Sequence, residues 1–125
     1  MQKFFLVMAT LYGGSAVGLG AFASHGLRGQ LSERLLNVFQ MGVQYQMYHA
    51  LALLAVGIMA RFWPSKGLKL AGLLFIAGVL CFSGSLYGLA LGGPRILGPV
   101  TPLGGLFFIG GWIAFAVACW RLPSA

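Results

Sequence analysis

Carboxylates are almost missing from this chain: Glu33 is its single acidic residue, against eight lysines and arginines. With one carboxyl, the side chains cannot assemble a paired-acid catalytic site or a hard-metal cage. Ser83 and Ser85 lack an acid–base pair to activate them. The expectation is therefore no enzyme, no bound cofactor and no metal. Charged residues of both signs make up only 7% of the chain, far below the roughly 25% of soluble domains, and this excludes an ordinary water-soluble fold. Cysteine is scarce as well. Cys81 falls near the middle of one apolar run and Cys119 near the end of another. At ~1.5 Å rise per residue their depths differ by more than ~10 Å, too far for a disulfide.

What the chain does have is hydrophobicity, 59% of its residues, arranged in four uncharged runs: Phe4 to Leu27, Leu35 to Ala60, Leu70 to Pro94 and Ile96 to Trp120. Each reaches the roughly 20 residues a helix needs to cross ~30 Å of hydrocarbon. The pattern predicts one all-α domain over residues 1–125, an integral membrane four-helix bundle with helices at about 2–24, 31–62, 67–91 and 102–120. The first run carries Lys3 and Ala21-Phe22-Ala23 and so resembles a cleavable signal. It is longer than the ~7–15 apolar residues of such signals, which favours a retained helix. Lys3, Arg61, Lys66, Lys69 and Arg121 fall on the side of the termini, and Arg28, Arg34 and Arg95 on the other, beside Glu33. That bias predicts both termini in the cytoplasm of a multi-pass protein of the bacterial inner (plasma) membrane. The net charge of +7 is dispersed singly at run ends. It suits anionic lipid headgroups and not nucleic acid, so the lipid bilayer is the expected partner.

Small residues recur every fourth position, at Thr10, Gly14 and Gly18 and again at Gly84, Gly88 and Gly92. Such ridges predict close helix packing, within the chain or in a homo-oligomer or larger membrane complex. Glu33, Asn37, Gln40 and Gln44 share one face at the start of the second helix, with Ser32 placed to cap it. Between Leu91 and Pro102 the chain is irregular, and Thr101-Pro102 reads as a cap followed by proline at the first helical position.

Several strings form a recognisable set. They are Gly20-Ala21-Phe22-Ala23-Ser24-His25-Gly26-Leu27, Tyr45-Gln46 with His49-Ala50-Leu51, Phe82-Ser83-Gly84-Ser85-Leu86-Tyr87, Thr101-Pro102-Leu103-Gly104-Gly105 and Gly111-Trp112. Their order and spacing, from about Gly13 to Arg121, resemble the small inner-membrane proteins of domain of unknown function family four hundred and twenty-three. The resemblance implies a four-helix membrane protein and carries no activity with it. In one departure, Ala23-Ser24-His25 stands where the family commonly has Gly-Ala-His; small residues are kept, so close packing is expected to persist.

His25 and His49 are the two histidines. Haem held by both would need them at one depth, whereas His25 falls at a helix end and His49 well inside a run. Zinc usually takes three or four protein ligands. An intramembrane histidine is costly unless paired, so His49 is expected to hydrogen-bond across helices, to Ser83, Ser85 or Tyr87. Tyr45, Gln46 and His49 share a face. Together with Ser83, Ser85 and Tyr87 they form the candidate buried polar cluster. Two functions fit: a structural or accessory interaction protein, or a small-solute or proton pathway formed by an oligomer.

Overall fold

The computed structural model describes residues 1–124, nearly all of them in four long helices. These are α1 (Gln2–Leu27), α2 (Glu33–Phe62), α3 (Lys66–Ala90) and α4 (Leu97–Trp120), each long and apolar enough to cross a membrane. Short connections force consecutive helices antiparallel. Met1, the turn between α2 and α3, and Arg121 therefore share one end of the bundle, and the other two turns share the opposite end. α1 packs along α2 and α3 along α4, while α2 against α3 joins the two hairpins. The outer surface is apolar: Leu11, Val17, Leu80, Leu106 and Ile113 are all exposed. A patch of that extent is unfavourable in water and ordinary against lipid chains. α2 has 30 residues, about 45 Å, and so exceeds the ~30 Å hydrocarbon core.

The helix ends follow local chemistry. Ser32 Oγ accepts from Leu35 N at 3.1 Å, and Ser65 Oγ from Leu68 N at 3.2 Å, capping α2 and α3. Gly29 makes the turn after α1 at φ +85. Gly92 closes α3 at φ +88, with its N–H on Leu89 O at 3.3 Å and that of Gly93 on Gly88 O at 2.7 Å. This is the paired-bond C-terminal cap that glycine favours. Gly92 thus belongs to a cap and not to a packing ridge.

The helices depart in several places from the bounds read in the sequence, most at the end of α1 and the start of α4. α1 runs on past residue 24 through a π-helical turn, Ala23–Leu27, and a second π turn, Val79–Ser83, interrupts α3. Such insertions leave no compositional trace. α4 begins at Leu97, ahead of the expected start at Pro102. Leu97 N bonds Pro94 O at 3.1 Å and Gly98 N bonds Arg95 O at 2.9 Å, so the turn itself winds into the helix. Pro99 falls in the first turn, where its missing N–H has no intrahelical partner to lose.

Close packing is carried by different glycines from those expected. A β-carbon at Gly14, Gly18 or Gly84 would meet nothing within 4 Å, and one at Gly88 only the Leu97 side chain. Aromatic rings instead seat themselves on other glycines: Phe5 of α1 on Gly72, Phe108 of α4 on Gly78, and Phe75 of α3 on Gly111. The tightest backbone approach is Gly104, where a β-carbon would run into the Phe82 backbone nitrogen. Phe5, Phe39 and Phe75 are each at most 1% exposed.

Backbone is stiffer than a side-chain tip, so Gly104→Ala should destabilise the bundle by about 1–3 kcal/mol in a thermal melt in detergent. Gly14→Ala and Gly18→Ala should leave the monomer's melt unchanged or raise it slightly, since alanine favours helix by up to ~1 kcal/mol. Equal losses at all three positions would contradict this packing.

Candidate functional site

The polar residues inside the bundle form four separate arrangements, the largest centred on Gln46 of α2. Its Nε2 donates to Tyr12 O at 2.9 Å and to Ser15 Oγ at 2.7 Å, both on α1. Its Oε1 accepts from the Tyr87 hydroxyl of α3 at 2.6 Å. Both amide protons and the carbonyl are thus engaged, and the contact with a backbone carbonyl fixes which amide atom is nitrogen. Tyr12 ties α1 to α3 a second time, its hydroxyl donating to Ile76 O at 3.0 Å. One primary amide therefore holds three helices in register.

Ser83 lies in the π turn of α3 and donates to Gly42 O of α2 at 2.6 Å. Gly42 must lack a side chain for this contact: a β-carbon there would lie 2.7 Å from the Tyr87 ring and 3.3 Å from Ser83 O. Ser85 faces the other way. Its hydroxyl pairs with Thr101 of α4 at 2.5 Å and bonds Phe82 O at 2.9 Å. Thr101, read from sequence as a helix cap, is instead an interhelical partner.

His49 does not join the serines or Tyr87 as expected. Its partner is Trp112 of α4, whose indole nitrogen donates to Nε2 at 3.1 Å. An indole N–H can only donate, so Nε2 carries the lone pair and the ring proton sits on Nδ1. Nδ1 then donates to Tyr45 O at 2.8 Å. The imidazole also stacks on Phe108, with ring centroids 3.6 Å apart and planes 7° apart. Both nitrogens are occupied and one face is covered. Tyr45 is more exposed than its neighbours on this face, and its ring packs on Phe82. His25 lies exposed in the π turn of α1, and Gln44 is exposed as well.

Among the described residues no buried side-chain nitrogen or oxygen lacks a hydrogen-bond partner. Gln46, His49, Ser83 and Ser85 were legible as buried polar groups, but Tyr12, Ser15, Thr101 and Trp112 were not read as their partners. Trp112 carried a signal. A tryptophan within an apolar run, away from the interface, needs an acceptor for its N–H.

The His49–Trp112 bond should show in a double-mutant cycle of His49→Leu and Trp112→Phe, read by unfolding in detergent. A coupling of about 0.6 kcal/mol, and up to ~1.7, is the range for hydrogen bonds between membrane helices. Strictly additive losses would mean that the two side chains do not meet.

The family model described as "Protein of unknown function (DUF423)" matches residues 19–105, which hold all of the polar groups above except Tyr12, Ser15 and Trp112. The UPF0382 membrane protein YwdK of Bacillus subtilis (strain 168) is 46% identical over 118 residues, covering 94% of this chain and 96% of that one. A UPF0382 membrane protein of Staphylococcus aureus (strain bovine RF122 / ET3-1) is 44% identical over 123 residues, 98% of this chain and 100% of the relative. One from Staphylococcus haemolyticus (strain JCSC1435) is 44% identical over 120 residues, 96% and 98% of the two chains. No solved structure matches at a significant level. At that identity over nearly its full length, this chain is a membrane protein and belongs to the DUF423 family of proteins of unknown function.

Proposed function

We propose that the protein is a structural or accessory interaction protein of the bacterial inner membrane, crossing it four times with both termini in the cytoplasm, and neither an enzyme nor a conduit. The observation that carries this reading is the closure of the interior network: every buried polar side-chain atom among the described residues has a partner. A pathway for protons or solutes needs polar groups that exchange partners with the moving species. Here the amide of Gln46 is fully engaged by three groups of its own chain, and His49 is engaged at both nitrogens. Hydrogen bonds of this kind fix helix register. On the Thr10, Gly14 and Gly18 face of α1, a β-carbon added at either glycine would meet nothing of the chain within 4 Å. It supports association with a second copy or a larger membrane complex. The orientation rests on the excess of lysine and arginine at the end that holds the termini.

Two measurements test the reading. In proteoliposomes the wild type should leak protons no faster than protein-free vesicles. His49→Gln and Gln46→Leu should lower the melting temperature without changing the leak, with Gln46→Leu costing about 1–3 kcal/mol for stranding its partners. A leak that vanishes in His49→Gln would establish the proton pathway instead. For orientation, a reporter fused after Ser124 should behave as cytoplasmic, and a cysteine placed at Pro94 should be labelled from outside; the reverse pattern would invert the topology.

A further inference from the structure

The end of the bundle that holds the termini carries two adjoining cavities divided by the turn between α2 and α3. One, of about 360 Å³, is lined by Trp63, Lys66, Val117, Ala118 and Arg121. The other, of about 330 Å³, is lined by Phe5, Ala60, Lys66 and Lys69. Pro64, Ser65 and Lys66 belong to both. Each volume lies within the ~300–1,000 Å³ of small-molecule sites. The two share a design: exposed cations beside a largely apolar lining. Lys66 stands between them, Lys69 adds a second cation to one, and Arg121 adds one to the other. Among the residues lining the two cavities there is no carboxylate to neutralise them. Lys66, Lys69 and Arg121 are all exposed, so their charge is available to a ligand.

We propose that this two-lobed site binds one anionic phospholipid bearing two phosphates, of the diphosphatidylglycerol class. Each lobe takes one phosphate at its exposed cations, Lys66 is shared between the two, and the acyl chains lie over Phe5 and Ala60 on one side and Val117 and Ala118 on the other. Charge complementarity selects the occupant, since three cationic side chains with no carboxylate among the lining residues favour an anion. The largely apolar linings select a lipid over free phosphate. The pairing of lobes across a shared wall selects two phosphates over one. Trp63, 48% exposed, lies where a headgroup-level aromatic is expected. Basic pockets between membrane helices are suited to such headgroups.

The test is native mass spectrometry of the full chain in detergent, titrated separately with diphosphatidylglycerol, phosphatidylglycerol and phosphatidylcholine. The expected result is one diphosphatidylglycerol retained per chain, at least about fivefold tighter than phosphatidylglycerol, with phosphatidylcholine not retained. Lys66→Gln combined with Arg121→Gln should weaken retention on the order of twentyfold, from about fivefold per charge removed. Lys69→Gln alone should weaken it about fivefold, and provides the reading should the double variant not fold. Arg34→Gln combined with Arg95→Gln, at the opposite end, should leave retention unchanged. Equal retention of phosphatidylglycerol or phosphatidylcholine, no effect of the three changes at the termini end, or an equal effect of the opposite-end pair would each overturn the proposal. The readout needs neither bilayer orientation nor flux, so it stands or falls apart from the function proposed above.

Discussion

A primary amide buried in an apolar bundle brings two protons and a carbonyl oxygen, none of which lipid can satisfy. Gln46 is such a group, 4% exposed, and the arrangement of α1, α2 and α3 depends on it. Its two donors reach α1 and its acceptor is met from α3. Sliding any of these helices by one residue would strand at least one of the three bonds. Apolar contacts alone would not enforce that register, because lipid tails are as apolar as leucine and give helices no hydrophobic reason to associate.

Shape supplies what hydrogen bonds do not. The bundle packs phenylalanine rings into gaps left by glycine on the facing helix, at Gly72, Gly78 and Gly111, so that large and small surfaces interlock between different helices. Close backbone approach is confined to a few points, of which Gly104 against Phe82 is the tightest. Phe82 lies within the π turn of α3. The same turn holds Ser83, which reaches α2, and is followed by Ser85, which reaches α4. α3 therefore bonds to both neighbours over a very short stretch. α4 is tied to α2 as well, by Trp112 donating to His49 while Phe108 covers the imidazole.

Much of this was legible in the sequence because membrane crossing imposes a strong rule, the exclusion of charge over the length of a helix. The same exclusion made Gln46, His49, Ser83 and Ser85 stand out as groups that had to be paired. Partner choice was not legible, since it depends on helix rotation. Trp112 and Thr101 lie on a different helix from His49 and Ser85, and nothing in their spacing aims them at those partners. Which glycines pack within the chain was hidden for a related reason. An every-fourth pattern establishes that glycines share a face, but not which way that face points, and Gly14 and Gly18 point away from the rest of the chain. The early start of α4 was hidden by its prolines: Pro99 sits in the first turn, which accepts it, whereas Pro102, read as the first helical residue, lies inside the helix.

Placing this chain in a family without an assigned activity moves the functional question from chemistry inside the bundle to what its surfaces meet. That shift depends on the interior being closed. The most direct test of closure is the side-chain amide of Gln46, observed by NMR in lipid nanodiscs during exchange into deuterated water. A closed interior requires its protons to exchange far more slowly than those of Gln44, which is exposed on the same helix, and to show contacts to Ser15 and Tyr87. Exchange at the rate of Gln44, without those contacts, would contradict it.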